Sequence, residues 1–180
     1  MNRDELAKSF QARWPTGRPG HHGVPGYPAD APALPVVVVA ASWHDRVMQG
    51  LRAGARRSAE ASGAHLTEVL VPGSFELPVV AAECAKSGQF EAIVALGVVI
   101  RGGTPHFDYV CSAATSGLSR VAIDYNIAVG FGLLTCETEE QALDRAGLDG
   151  SSQDKGSEAM VSALVTALTL RDLRIPRTLQ

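Results

Sequence analysis

Residues 91–111 read EAIVALGVVIRGGTPHFDYVC, an apolar run that leads into a glycine turn and then a histidine. The run up to Ile100 has almost no polar interruption, which is typical of a strand in a parallel sheet that helices cover on both faces. Gly102 and Gly103 follow at the carboxyl end of this strand, where open α/β sheets bind their ligands. His106 comes after a proline that suits the first turn of a helix. We therefore expect an imidazole at the mouth of a ligand site.

Strand and helix patterns alternate along the rest of the chain. The predicted strands are 36–42, 66–71, 92–100 and 129–135, and the predicted helices are 45–62, 77–86, 107–124, a short one opened by Thr138 and ending near Gly147, and a last one capped by Asp154. This alternation predicts a three-layer α/β/α sandwich around a central four-stranded parallel sheet. The residues that follow each strand should then converge at one edge of the sheet.

The N-terminal region has a different composition. Prolines alternate with glycines over residues 15–32, so we expect a disordered arm over residues 1–33 and a single domain over residues 34–175. Leu6, Phe10 and Trp14 fall at helical spacing, so residues 1–14 could form a short amphipathic helix that docks on a partner. A frayed tail is the favoured interpretation, because a helix of fourteen residues is marginal in water.

Composition argues against several classes of protein. The 180 residues are 46% hydrophobic and 19% charged, enough apolar material for one core without a metal or disulfides. A net charge of −3 argues against nucleic-acid binding. Cys84, Cys111 and Cys136 have no Cys-x-x-Cys spacing and are expected to be reduced core thiols. The chain lacks an apolar run of membrane-spanning length and the pattern of a secretion signal, so we expect a cytoplasmic location.

Residues near the predicted strand ends each allow two interpretations. Trp43 could stack on a flat heterocycle or simply pack a helix against the sheet. The turn at residues 73–76 could grip a polyhydroxylated chain, with Glu76 as an acceptor, or could only start a helix. Gly103 and Thr104 suit a phosphate, although glycine pairs usually mark only a turn.

Each of three further residues, Arg145, Lys155 and His106, also allows two interpretations. Arg145 could bind phosphate oxygens bidentately or remain a solvated charge at a helix end. Lys155 stands at a helix start, where a cation opposes the helix dipole, and this favours a ligand role modestly. His106 could exchange protons near neutral pH or be an ordinary exposed residue of a helix start.

Four segments, in order, resemble those of the lumazine synthase family. They are PGSFELP at 72–78, ALGVVIRGGTPHFDYVC at 95–111, GLLTCETEEQALDRAG at 132–147 and DKGSEA at 154–159. The resemblance extends over roughly residues 34–173 and implies a flavodoxin-like fold. It also implies the family's reaction in riboflavin biosynthesis, the condensation of 5-amino-6-(D-ribitylamino)uracil with 3,4-dihydroxy-2-butanone 4-phosphate to give 6,7-dimethyl-8-ribityllumazine, phosphate and water.

The same resemblance implies roles for individual residues. His106 would be the catalytic acid and base. The groups that bind the pyrimidine and ribityl parts would be Trp43, Ser74, Phe75, Glu76, the backbone of Val98, Val99 and Ile100, and Phe131. The groups that bind the phosphorylated ketone would be Gly103, Thr104, Arg145 and Lys155. In the family, the positions of Phe131, Arg145 and Lys155 reach the site of a neighbouring subunit.

The family's chemistry requires two small-molecule substrates and neither a metal nor a redox cofactor, and the sequence shows no motif for either. The family assembles as homopentamers or as cages of twelve pentamers. Residues 148–154 look slightly longer than in cage-forming members, which favours a lone pentamer here. Two alternatives to an enzyme stay open: a flavodoxin-like module that binds flavin or lumazine without turnover, and a shell-forming scaffold whose arm recruits cargo.

Overall fold

The computed structural model describes residues 31–174, which form one sheet between helices. The strands are β1 (Pro35–Ala41), β2 (His65–Val71), β3 (Ala92–Ile100) and β4 (Ala128–Cys136), all parallel and in the order β2-β1-β3-β4. The helices are α1 (Asp45–Ala61), α2 (Leu77–Lys86), α3 (His106–Asp124), α4 (Glu139–Leu143) and α5 (Lys155–Arg174), with a single 3₁₀ turn (Ser74–Glu76) before α2.

The predicted fold class is confirmed, with one clear difference at a helix end. Thr138 caps α4 as expected and accepts a hydrogen bond from the Gln141 backbone N–H at 3.4 Å. The helix ends at Leu143, however, well before Gly147. The chain leaves the helix early because Ala146 pairs with Asp154 in an isolated antiparallel bridge. Apart from residues 31–33, the predicted arm and its candidate helix lie outside the described residues.

The core has two halves, one on each face of the sheet. Along β1, Val36 and Val38 pack with α1 and α5, while Val37 and Val39 pack with α2 and α3. All four are at most 1% exposed, which explains the unbroken apolar run of a central strand. Each fully buried valine contributes roughly 1.5–3 kcal/mol relative to an exposed one.

Glycines let α5 approach its neighbours closely. A Cβ atom at Gly130 of β4 would lie only 2.2 Å from the carbonyl oxygen of Ala159 in α5. A Cβ atom at Gly156 would lie 1.9 Å from the carbonyl oxygen of Leu51 in α1. Because both obstacles are backbone atoms, a side chain could be accommodated only by moving the helix. These contacts fix the position of the α5 amino end.

A cluster of charges joins α1 to the outer strand. The guanidinium groups of Arg52 and Arg56 both hydrogen-bond the carboxylate of Glu68 in β2. Burial raises the pKa of this carboxyl, but the hydrogen bonds and charges of the two arginines outweigh it, and the pKa lies below its ordinary value of 4.5. The ionised cluster of Glu68 with its two arginines therefore favours the folded state.

The three cysteines are free thiols, with Cys136 buried and Cys84 and Cys111 half-buried. Only one of them is therefore a full core residue, although burial raises the pKa of all three thiols. Within residues 31–174, each helix is too short or too polar to span a bilayer.

The Gly130→Ala substitution should destabilise the fold by about 2 kcal/mol, because the added methyl overlaps the backbone of α5. The thermal unfolding midpoint, measured at one fixed protein concentration, should fall by several degrees. Gly102→Ala is the matched control, since a Cβ atom there meets nothing within 4 Å. Equal midpoints for the two variants would contradict the packing described for α5.

The Glu68→Gln substitution should reduce the acid sensitivity of the protein. The stabilisation from the Glu68 cluster is fully present above pH 4.5 and is lost as the pH falls through the lowered folded-state pKa. The variant should be less stable than the parent at neutral pH and should lose stability less steeply below pH 4.5. Thermal unfolding midpoints measured over a pH series check this. Parallel curves of midpoint against pH for the two proteins would refute it.

Candidate functional site

The carboxyl ends of the four strands meet at one edge of the sheet, because all of the strands are parallel. Hydrogen bonds join neighbouring ends there. Ser42 donates its backbone N–H to Pro72 O at 3.2 Å and its hydroxyl to Val71 O at 2.8 Å. Arg101 donates its backbone N–H to Cys136 O at 2.9 Å. These hydrogen bonds hold the residues that follow the strands in place at one edge of the sheet, where the sequence predicts them.

Trp43 stands immediately beyond β1 and remains 65% exposed. Its ring lies against the next strand-end turn, since a Cβ atom at Gly73 would come within 3.0 Å of Trp43 Cζ3. A tryptophan that packed a helix against the sheet would be buried. The following residue, His44, adopts a left-handed backbone (φ 64°) and turns the chain into α1. The indole face is thus available to a flat ligand.

The turn after β2 is held by its own side chains. Gly73 donates its N–H to Glu76 Oε2 at 3.0 Å. Ser74 is 5% exposed, and its hydroxyl donates to the carbonyl oxygen of Val98 at 3.3 Å. Phe75 is 61% exposed. The Ser74 hydroxyl is therefore engaged inside the protein.

The loop after β3 is open to solvent. Residues 101–106 are all exposed, and Cβ atoms at Gly102 and Gly103 would meet nothing within 4 Å. His106 is the first residue of α3, and its imidazole makes no hydrogen bond or ion pair with any other residue between 31 and 174. Its two ring nitrogens are therefore free to exchange protons with a ligand. Val99 and Ile100, at the end of β3, are half-buried.

An arginine network borders this loop, and the sequence analysis did not single it out. Arg101 Nε donates to Glu137 Oε2 at 2.7 Å, while Nη1 and Nη2 donate to the two Asp108 oxygens at 3.3 and 3.2 Å. The guanidinium also lies 4.1 Å from the ring centre of Phe107. The hydrogen bonds to both carboxylates raise the pKa of Arg101 further. The sequence signal that could have revealed this network is the presence of charged residues directly after β3 and β4, Arg101 and Glu137.

The two predicted phosphate cations lie next to each other. Lys155 donates its backbone N–H to Arg145 O at 3.0 Å. Arg145 Nη1 donates to the backbone carbonyl of Gln141 at 2.9 Å, and Lys155 Nζ pairs with Glu158 at 2.6 Å. Among the residues described, neither cation makes a hydrogen bond or ion pair with the loop at 102–105. The structure therefore does not join these cations to the glycine loop within one chain.

Phe131 has an unusual environment for a strand residue. It lies in β4 between two buried glycines, yet its side chain is 48% exposed. Because β4 is an edge strand, this ring points to a surface that the single chain leaves uncovered. A core role for Phe131, the ordinary expectation for a strand phenylalanine, is therefore wrong.

A groove of about 510 Å³ lies away from these residues, beside α2. It is lined by apolar side chains that include Val79, Val80 and Phe90, and none of the candidate site residues borders it. Within residues 31–174, His, Cys, Asp and Glu side chains form no group of three that could hold a metal ion. The candidate site is therefore the strand-end edge.

Comparisons with known proteins agree with the geometry. A family model described as 6,7-dimethyl-8-ribityllumazine synthase matches residues 33–171. The chain is 62% identical over 153 residues to the protein of that name from Kocuria rhizophila, covering 83% of this chain and 97% of the relative. The Kineococcus radiotolerans protein is 59% identical over 150 residues, covering 83% and 92%. The resemblance seen in four segments is thus confirmed, and the chain belongs to the 6,7-dimethyl-8-ribityllumazine synthase family.

Proposed function

We propose that the strand-end edge is the active site at which this chain condenses 5-amino-6-(D-ribitylamino)uracil with 3,4-dihydroxy-2-butanone 4-phosphate. The products are 6,7-dimethyl-8-ribityllumazine, phosphate and water. Family membership over residues 33–171 assigns the reaction. The observation that supports the location is the imidazole of His106, which has no partner among residues 31–174 and stands beside an open glycine loop, at the edge where parallel sheets bind ligands.

The pyrimidine and its ribityl chain would bind at the ends of β1 to β3. The exposed face of Trp43 suits stacking on the flat ring. The turn from Ser74 to Glu76 offers the backbone N–H groups of its first two residues, the ring of Phe75 and one carboxylate oxygen that does not accept from Gly73. Backbone groups of Val98, Val99 and Ile100 complete this part of the proposed site.

The phosphate would bind at Gly103 and Thr104, where the backbone is accessible and a hydroxyl adds a donor. Arg101, the cation that directly precedes this loop, already faces two carboxylates, so it leaves no excess positive charge for a phosphate. A phosphate of charge near −2 needs a further cation. We assign that role to Arg145 and Lys155 of a neighbouring subunit, whose exposed Phe131 would cover the bound pyrimidine.

His106 would move the protons that the condensation requires. The substrate amine attacks the ketone carbon, and an imidazolium can protonate the carbonyl oxygen, which then leaves as water to give a Schiff base. Abstraction of a carbon-bound proton allows the phosphate to leave. After tautomerisation, the second amine attacks the remaining carbonyl, and a second water is expelled. One imidazole that alternates between its two forms can serve each of these steps.

The exposure of His106 also bears on the alternatives to an enzyme. A flavin-binding or lumazine-binding module could use Trp43 and the same loops, because stacking and hydrogen bonds suffice for binding. A shell-forming scaffold would need none of the edge residues. Neither alternative uses a solvent-accessible histidine next to the loop that has no partner among residues 31–174. Turnover does require such a group, so catalysis is favoured.

We further propose that the chain assembles as a lone homopentamer in the cytoplasm. The segment before α5 is compact: Leu148 donates its N–H to the Ser151 hydroxyl at 3.0 Å, and that hydroxyl donates to Leu143 O at 2.5 Å. Ser152 is bound to Asp144 through both its N–H and its hydroxyl. The support for a pentamer over a cage is the resemblance in sequence, by which this segment looks slightly longer than in cage-forming members.

Replacing His106 or Arg145 should affect different kinetic constants. His106→Ala should lower kcat by about a hundredfold, since it removes the acid and base. Arg145→Ala should chiefly raise KM for the phosphorylated ketone, because a charge-assisted contact with the phosphate is lost. His65→Ala, at the opposite end of β2, is the control and should behave like the parent. Equal losses in both constants for both variants would count against these roles.

Co-assembly of His106→Ala and Arg145→Ala subunits tests whether the site is shared. Each single variant should be nearly inactive at low ketone concentration. If one subunit supplies His106 and its neighbour Arg145, roughly a quarter of the sites in a random mixture regain both groups. Native mass spectrometry on the same sample should show pentamers. If the activity of the mixture is only the average of the activities of the two single variants, both residues act within one chain. A particle of twelve pentamers would overturn the proposed assembly.

A further inference from the structure

The open loop at residues 102–105 makes no side-chain hydrogen bond that would hold its shape among the described residues, and only Pro105, at its end, restricts the backbone. Gly102 and Gly103 have no side chain, and the Thr104 hydroxyl makes no hydrogen bond to another residue within 31–174. Such a segment samples many conformations unless its two ends are fixed. A phosphate that binds to this backbone would then have to order it, at a cost in affinity.

Arg101 connects the two ends of this loop. It stands before the loop, and its guanidinium forms a two-pronged contact with Asp108, in the first turn of α3 after the loop. The same group lies over the ring of Phe107, which is buried at the start of α3. The contact therefore closes a ring of chain that contains the loop and His106.

Glu137 attaches this ring to the neighbouring strand. Its carboxylate accepts from Arg101 Nε at 2.7 Å, directly after the end of β4. The backbone hydrogen bond from Arg101 to Cys136 reinforces the same junction. Arg101, at the beginning of the loop, is thereby fixed both to the end of β4 and to the first turn of α3, into which the loop leads.

The geometry requires an arginine. All three guanidinium nitrogens donate to carboxylates, in two directions at once, which a planar fork can do and an ammonium group cannot. The cluster has one positive and two negative charges, so it does not offer an attractive site for a phosphate. Arg101 is therefore suited to holding the loop rather than to binding the anion.

We propose that Arg101, through Asp108 and Glu137, is a positioning residue that presets the phosphate-binding loop and the start of α3, and with it His106. This inference rests on the proposed function. Without the bidentate contact, the loop amides would exchange faster with solvent, and the phosphorylated ketone would bind more weakly. Binding of the aminopyrimidine, at the ends of the other strands, would be much less affected.

The test compares Arg101→Lys and Arg101→Met with Arg120→Met in the assembled protein. Arg120 is a matched control: it lies on α3, the helix that carries Asp108, is exposed, and pairs only with Asp124 within the described residues. Hydrogen exchange of residues 102–104, binding of inorganic phosphate, and KM for each substrate are measured. Both Arg101 variants should show faster exchange, about tenfold weaker phosphate binding and a KM for the ketone raised about tenfold, with the control unchanged.

Two results would overturn the proposal. One is parent-like exchange and phosphate binding in Arg101→Lys, which would show that charge alone suffices. The other is an equal rise in KM for both substrates with a lowered thermal midpoint, which would indicate a general structural role. Parent protein that does not turn over would refute the proposed function instead, while exchange and phosphate binding would still decide the role of Arg101.

Discussion

The parallel pairing of β3 with β1 on one side and β4 on the other is the constraint on which the rest of the structure depends. Together with the parallel pairing of β1 with β2, it sends all four carboxyl ends to one edge, where hydrogen bonds just beyond the strands join β1 to β2 and β3 to β4. The pairing requires both faces of β1 and β3 to be covered, which the two helix layers do. Trp43, the turn at 73–76 and the loop before His106 owe their proximity to this arrangement.

Much of the fold could be predicted because its signals are local and periodic. The apolar run into Ile100 and the helical spacing after His106 each act over a few neighbours in sequence. The early end of α4 could not be predicted, since it depends on a bridge between Ala146 and Asp154 that only tertiary packing creates. The strand-end position of Trp43 followed from topology, whereas its exposure could not be predicted, because the sequence alone also allowed it to pack a helix against the sheet.

The side-chain pairings at the site could not be predicted from the sequence either, because they also depend on tertiary packing. The Ser74 hydroxyl turns inward to Val98, 24 positions along the chain. Arg101 reaches Glu137 across 36 positions. No periodicity encodes such contacts, because they depend on the relative placement of elements once the sheet has formed. The roles of the individual site residues remain proposals, and the exposed Phe131 on edge strand β4 is the feature that most favours a site shared between subunits.

The most direct test of the account is turnover by the purified full-length protein supplied with the aminopyrimidine and the phosphorylated ketone. Lumazine absorbance and released inorganic phosphate are followed together, and the uncatalysed condensation is subtracted. The account predicts that lumazine and phosphate appear in equal amounts, well above the background rate, without an added metal or redox cofactor. Tight binding of lumazine or flavin with no product above background would contradict it and would favour a binding module.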